Sequence, residues 1–147
     1  MTLEELKILD SHYRQDDPKL FLLSQPDQLA SEEQLAEVER EIGVRLPSTY
    51  RAFLQEFGGG RFGLTTIFSA DVKSAWYLPK KHVETMRHLP EGLLAFSDDF
   101  CGGNYVLKVL NGHAQETVFY WNTDGGESPT EFKDIFEFIA HDAYEPA

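Results

Sequence analysis

The sequence predicts a single α+β domain over residues 1–147, in which helices pack against a mainly antiparallel sheet. Helix-start signals occupy the first third of the chain and its end, whereas alternating and apolar runs separated by turns fill the middle. An Asn111-Gly112 pair between two such runs is typical of a tight β-hairpin. With 147 residues, 41% of them hydrophobic, the chain is long and apolar enough to bury one core.

The first predicted helix begins at a capping box formed by Thr2 and Glu5 and continues to about Arg14. Its inner face consists of Leu3, Leu6 and Leu9. Asp16-Asp17-Pro18 ends it, because proline cannot continue a helix. The following run, Leu20 to Leu23, is consistent with either a turn of helix or a buried extended segment.

Two short helices joined by a tight corner are predicted next. Ser31 and Gln34 form another capping box, and Gly43 is suited to a left-handed C-terminal cap. Pro47 then falls at the first position of another helix, which Gly58-Gly59-Gly60 ends. The apolar faces of the two helices are formed by Leu35, Val38 and Ile42, and by Tyr50, Phe53, Leu54 and Phe57.

Strands are expected at Arg61–Ser69, which alternates weakly, and at Val72–Leu78. Pro79 opens a helix of two to three turns with an apolar face formed by Val83, Met86 and His88 to Leu89. Leu93–Phe96 follows the turn Pro90-Glu91-Gly92 and is predicted to be a buried strand.

The hairpin strands are predicted at Asn104–Leu110 and Glu116–Trp121, since Asn111 and Gly112 tolerate the positive φ of a type I′ turn. After the loop Thr123–Gly126, a final helix is expected to start at Ser128, Pro129 and Glu131. Its apolar positions recur at helical spacing and are Phe132, Ile135, Phe136 and Ile139.

The segment 31–63 resembles the SUKH superfamily, which groups bacterial immunity proteins with a fungal regulator of cell-wall synthesis. The residues that carry the resemblance are Glu39, Ile42, Gly43, Leu46, Pro47, Tyr50, Phe53, Leu54, Gly58-Gly59-Gly60 and Phe62. It continues more loosely through Phe96, Gly103, Tyr105, Leu107 and the final helix. The resemblance implies a SUKH-like fold and a protein that binds and neutralises a polymorphic toxin, often a nuclease.

The distribution of charge limits the partners. The net charge is −12, and residues 91–147 alone hold 11 acidic and 2 basic side chains, a net charge of −9. Such a field repels nucleic acid and favours association with a basic protein, although solubility alone also accounts for it. No stretch approaches the length of a membrane span, and a single cysteine excludes an internal disulfide. No signal peptide is expected, because the opening residues are charged rather than apolar. A cytoplasmic location is expected.

No catalytic, cofactor-binding or metal-ligating set is predicted. Gly58, Gly60 and Gly63 match the letters of a dinucleotide-binding motif, but a helix precedes them and a strand follows, the reverse of what that motif needs. Cys101 lies beside acidic residues, which would raise the pKa of its thiol and oppose activation. The five histidines show no metal-ligand spacing.

The candidate partner-binding residues lie in the loops that flank the predicted sheet. They are Asp98, Asp99, Asp124 and Glu127, with Trp76 and Trp121 as apolar anchors if their side chains are exposed. Solvated loop acids and core aromatics are the alternative interpretations, and a carboxylate pair could also serve acid–base or divalent-metal chemistry. The leading hypothesis is a non-enzymatic immunity protein that binds a basic toxin domain. The alternative is an intracellular scaffold or regulatory module of the same fold.

Overall fold

Residues 1–22 and 24–144 are described by a computed structural model, and within them five α-helices and two antiparallel sheets form the fold. The helices are α1 (Leu3–Asp16), α2 (Glu32–Ile42), α3 (Ser48–Phe57), α4 (Leu78–Thr85) and α5 (Ile135–Asp142). The first sheet contains β1 (Gln25–Pro26), β2 (Gly60–Phe62) and β3 (Thr65–Ile67). The second contains β4 (Leu93–Asp98), β5 (Gly103–Leu110), β6 (His113–Asn122) and β7 (Gly126–Pro129), in that order.

The capping boxes predicted for α1 and α2 and the glycine end predicted for α2 are confirmed. The Thr2 hydroxyl accepts the Glu5 N–H at 3.1 Å, and the Glu5 carboxylate accepts the Thr2 N–H at 3.1 Å. Ser31 and Gln34 exchange the same pair of hydrogen bonds at the start of α2. Gly43 ends α2 with a φ of 70°, so the corner that leads into α3 depends on a glycine there.

The segment after α1 forms a turn of 3₁₀ helix at Pro18–Phe21, which resolves the ambiguity at its start in favour of the helical alternative. Leu22 follows it and is exposed, and Leu23 lies outside the described residues. Pro47 caps α3 from one position earlier than expected, because α3 begins at Ser48.

The expected strand Arg61–Ser69 is divided into β2 and β3 by a turn at Gly63 and Leu64. Gly63 has a φ of 56°, and a Cβ added there would lie 2.4 Å from the carbonyl oxygen of Ala143. The Leu64 N–H donates to that same carbonyl at 2.8 Å. The turn is therefore set by contact with the end of α5, which the local sequence does not reveal.

The expected strand Val72–Leu78 is wrong, since residues 72–76 form turns and α4 begins at Leu78. The Asp71 carboxylate accepts the Lys73 N–H at 3.1 Å, and the Asp71 carbonyl accepts the Ser74 N–H at 2.9 Å. An aspartate that caps the following backbone competes with strand formation in this way.

The helix predicted from Pro79 is confirmed as α4, but its predicted apolar face is not. Leu78, Pro79 and Thr85 are its buried residues, whereas Val83 and Met86 are exposed. The helix docks through its first turn and its last residue, so two apolar side chains that its periodicity assigned to the core lie on the surface.

The Asn111-Gly112 hairpin is confirmed, with φ angles of 50° and 76° at its two turn residues. It joins β5 to β6 with Leu110 opposite His113. The Arg45 N–H donates to the Gly112 carbonyl at 2.8 Å, and the Arg45 carbonyl accepts the Ala114 N–H at 2.9 Å. These bonds fasten the α2–α3 corner to the hairpin.

The last helix starts later than predicted. Residues 126–129 pair with β6 as β7, so Ser128 and Pro129 do not open a helix. Asp134 caps α5 instead, accepting the Glu137 N–H at 2.9 Å. Edge strands tolerate proline because one side of the strand needs no ladder hydrogen bond.

One hydrophobic core joins both sheets to the helices. The Phe96 ring on β4 lies 6.1 Å from Tyr50 on α3 and 5.1 Å from Phe138 on α5, measured between ring centroids. The Phe68 N–H donates to the Phe96 carbonyl at 2.9 Å, and the Phe68 carbonyl accepts the Tyr50 hydroxyl at 2.7 Å. The predicted α+β class, with helices against antiparallel sheets, is confirmed.

Candidate partner-binding surface

Three of the candidate residues lie in one row across the four-stranded sheet. Asp98 on β4 is opposite Asn104 on β5, Asn104 is opposite Trp121 on β6, and Trp121 is opposite Glu127 on β7. Directly paired residues direct their side chains to the same face. Because neighbouring strands lie about 4.8 Å apart, Asp98 and Glu127 are separated by about 14 Å at one end of the sheet.

The β4–β5 loop is organised by its two aspartates. Asp98 Oδ1 accepts the Phe100 N–H at 2.7 Å. Asp99 Oδ1 accepts the N–H groups of Cys101 and Gly103 at 2.7 and 2.9 Å, and Asp99 Oδ2 accepts the Tyr120 hydroxyl. Both carboxylates, which the sequence analysis offered as partner contacts, therefore also brace their own loop.

The hydrogen bonds within this loop shift the pKa values of Asp99 and Tyr120. Partial burial alone would raise the Asp99 pKa, but the hydrogen bonds from Tyr120, Cys101 and Gly103 outweigh it and lower that pKa. The bond to Asp99, followed by partial burial, raises the pKa of the Tyr120 phenol to about 12. The pair is consequently an ionised carboxylate and a neutral phenol at pH 7.

Trp121 is only 7% exposed and belongs to the core. Its ring lies 5.5 Å from the His88 ring, and the His88 Nε2 lies 3.2 Å from the Asn104 Oδ1. The segment after α4 therefore covers the middle of the row. The condition set for Trp121 as an anchor, an exposed side chain, is not met.

Trp76 is half-buried in the turns that precede α4. Its backbone N–H donates to the Ser74 hydroxyl at 2.9 Å. Its ring meets the Phe100 ring edge-to-face at 5.7 Å, and the Lys81 ammonium nitrogen lies 4.9 Å from the centre of the Trp76 ring. Trp76 is thus brought to the β4–β5 loop, although 22 positions separate it from Asp98.

Asp124 and Glu127 are exposed, as expected of acids in and beside a loop. Glu127 lies 3.5 Å from the Lys108 ammonium nitrogen, and Lys108 also lies 4.2 Å from the centre of the Phe119 ring. An exposed ion pair of this kind contributes little to stability, so Glu127 remains accessible to a second cation.

Two features of the surface were missed by the sequence analysis. Phe100 is 61% exposed at the tip of the β4–β5 loop. A groove of about 680 Å³ at the opposite end of the sheet is lined in part by apolar side chains of the α2–α3 corner, the segment after α4 and β5, with Val44, Met86 and Val109 among them. Met86 could have indicated this groove only if the orientation of α4 had been known.

The described residues show no arrangement of His, Cys, Asp and Glu side chains that could hold a metal ion. Their helices also include none that is long and apolar enough to cross a membrane. Cys101 is exposed in the β4–β5 loop.

The fold defines the class of protein. A crystal structure of a protein from Pseudomonas syringae pv. tomato is similar to this chain, with a TM-score of 0.66 and 19% identity over 97% of this chain and 99% of that chain. At that identity the likeness shows a shared α+β fold and nothing about activity.

The family follows from the sequence match. The SUKH_6 family model, described as SMI1-KNR4 cell-wall, matches residues 32–139, well over half of the chain. The chain belongs to this SUKH family, as its resemblance at residues 31–63 predicted. No functionally curated protein matches it.

Proposed function

We propose that this protein is a cytoplasmic, non-enzymatic immunity protein that neutralises a polymorphic toxin by direct binding. SUKH proteins commonly bind protein partners, which supports a binding role. The observation that carries the proposal is the exposed acidic end of the four-stranded sheet, with Asp124 and Glu127 on a part of the chain whose net charge is −9. A basic toxin domain, such as a nuclease, is complementary in charge to that surface.

In the proposed mechanism, the bound immunity protein occludes the toxin's substrate-binding surface. Its acidic side chains attract that basic surface, and the apolar side chains beside them exclude water from the interface once the two proteins are bound. Charges at the rim of an interface act mainly on the association rate, whereas desolvated contacts act mainly on the dissociation rate. The two contributions can therefore be measured separately.

The test replaces Asp124 by Asn and Glu127 by Gln together, because neither side chain braces the fold. The probe is the purified toxin domain of any toxin gene found beside the gene for this protein. We expect its association with the double variant to slow by about tenfold at low salt and to depend less on ionic strength. The dissociation rate should change little. Stopped-flow or biosensor kinetics across a salt series measures both rates.

The matched control is Glu33→Gln with Glu91→Gln, which removes the same charge from exposed positions outside the acidic end of the sheet. Equal effects in the two double variants would mean that only total charge matters, and unchanged rates in both would exclude the acidic surface. If wild-type protein binds no neighbouring toxin but retains a cellular partner, the alternative of a scaffold or regulatory module replaces the immunity role.

A further inference from the structure

Phe100 combines a large exposed apolar ring with an unfavourable backbone conformation. Its side chain is 61% exposed, and its φ is 59°, in the left-handed region that bulky residues rarely adopt. Such a conformation persists only where the surroundings hold it, and it concentrates at functional sites. Here the hydrogen bonds to Asp98 and Asp99 hold the loop from both sides of Phe100.

A second aromatic ring from a different part of the chain supports Phe100. Trp76 meets it edge-to-face at 5.7 Å, and Trp76 is itself held by its hydrogen bond to Ser74 and by the Lys81 ammonium. We refer to Trp76 and Phe100 together as the aromatic platform. Rigid, partly exposed aromatic side chains of this kind dominate the binding energy of many protein interfaces.

The platform borders a depression that carries two basic side chains. Phe100 lines this depression of about 330 Å³ with Leu20, Leu64, Lys19 and Arg61. Leu64 is exposed, and neither Lys19 nor Arg61 forms an ion pair with any described residue. In a chain of net charge −12, two unpaired cations beside exposed apolar side chains suit a partner that presents an apolar side chain next to a carboxylate.

We propose that the aromatic platform is the apolar anchor of the partner-binding surface. We also propose that Asp98 and Asp99 are positioning residues, which keep the Phe100 ring exposed at the tip of the β4–β5 loop. This inference rests on the proposed function, since the occupant is the same protein partner. Its apolar side chain lies against Phe100, its carboxylate meets Lys19 and Arg61, and its basic residues face Asp124 and Glu127.

The first experiment compares Phe100→Gly with Leu110→Ala, using as the probe the same purified toxin domain that tests the proposed function. Glycine adopts a positive φ freely, so Phe100→Gly should not lower the melting temperature. It should raise Kd by at least about tenfold, mainly through faster dissociation. Leu110 is a matched control, 60% exposed at the opposite end of the same sheet, and its truncation should leave Kd within about twofold.

The second experiment separates positioning from charge at Asp98. In Asp98→Asn the amide oxygen can still accept the Phe100 N–H, so binding should stay close to that of the wild type. Asp98→Ala removes the acceptor and should weaken binding as Phe100→Gly does. Equal weakening of binding by Asp98→Asn and Asp98→Ala would show that the carboxylate acts through its charge and would overturn the positioning role.

The outcome of the first experiment decides the anchor. A Phe100→Gly variant that binds as tightly as the wild type would overturn the proposal that Phe100 is the apolar anchor.

The platform can be tested even if the proposed function fails. If wild-type protein binds no neighbouring toxin, photocrosslinking in the cells that naturally produce this protein replaces the toxin titration. Benzoylphenylalanine is placed at position 100, and at position 110 as the control. A protein captured from position 100 alone is identified, purified and titrated with wild-type protein and Phe100→Gly. Weaker binding by the variant supports the platform. Equal affinities, or no such protein, overturn it.

Discussion

Phe53 illustrates how one helical position contributes to the core. It is fully buried on α3, and its ring lies 5.3 Å from Phe57 and 5.2 Å from Phe62, measured between centroids. Phe57 lies on α3 and Phe62 lies on β2, so Phe53 links α3 to the first sheet. Helical spacing alone indicated that this side chain faces inward.

Truncating Phe53 to Ala should lower the free energy of unfolding by about 3–5 kcal/mol, because the ring's contacts are lost and a cavity remains. Urea denaturation followed by circular dichroism measures the change. Ile8→Ala is the control, since Ile8 is exposed on α1 and its truncation should change stability by less than about 0.5 kcal/mol. An unchanged midpoint for Phe53→Ala would show that α3 does not face the core.

Asp142 should destabilise the protein at neutral pH. Burial raises the pKa of its carboxyl, nearby Asp99 adds to the increase, and His141 and Thr65 oppose it. The carboxylate also lies in the last turn of α5, where the helix dipole disfavours negative charge. Asp142→Asn should therefore raise the free energy of unfolding at pH 7 by about 0.3–1 kcal/mol.

The sign of this effect is set by linkage. A raised pKa in the folded state means that folding disfavours the ionised form, so the gain from Asp142→Asn should shrink as pH falls and vanish where both states are protonated. Asp134→Asn at the start of α5 is the matched control, and removing that charge should lower stability instead. A gain from Asp142→Asn that persists undiminished at pH 3 would contradict the explanation.

At the scale of elements, the β5–β6 hairpin was predictable because its determinants are local. Asn111 and Gly112 need no distant contact to adopt positive φ, and the strands that they join pair in register from Leu110 and His113. The turns before α4 depend on a local signal that the strand prediction overlooked, backbone capping by Asp71. The late start of α5 was not predictable, since pairing of β7 with β6 outweighs local helix propensity.

Gly112→Ala should lower the free energy of unfolding by about 1–2 kcal/mol through backbone strain. A Cβ at this position would meet nothing within 4 Å, so steric overlap does not contribute. Asn111→Gly is the control and should stay within about 0.5 kcal/mol, because glycine accepts the same φ. The urea midpoints of the two variants measure the change. An equal decrease in the free energy of unfolding in both would argue against backbone strain in Gly112→Ala.

At the scale of the whole molecule, both sheets and all five helices contribute to one core. Leu6, Val38, Phe53, Leu78 and Phe138 belong to the same cluster of buried side chains, one from each helix. We therefore propose that the domain predicted over residues 1–147 is a single folding unit.

Unfolding should consequently occur in one cooperative transition. Tryptophan fluorescence reports on Trp76 and Trp121, which lie in different parts of the fold, and far-ultraviolet circular dichroism reports on the helices. The two urea curves should coincide within error. Separate midpoints would divide the chain into two folding units and contradict the single core.

The sequence by itself determined the caps of α1 and α2, the hairpin, the α+β class and the exposure of Asp124 and Glu127, because these depend on residues close in the chain. Only the tertiary structure decided which face of α4 is buried, that Trp121 lies beneath His88, and that Asp98 and Asp99 brace the loop that exposes Phe100. Each of those outcomes depends on strand register or on a contact between distant segments. Local periodicity shows which residues share a face of a helix or strand, but it does not show which face a neighbouring element covers.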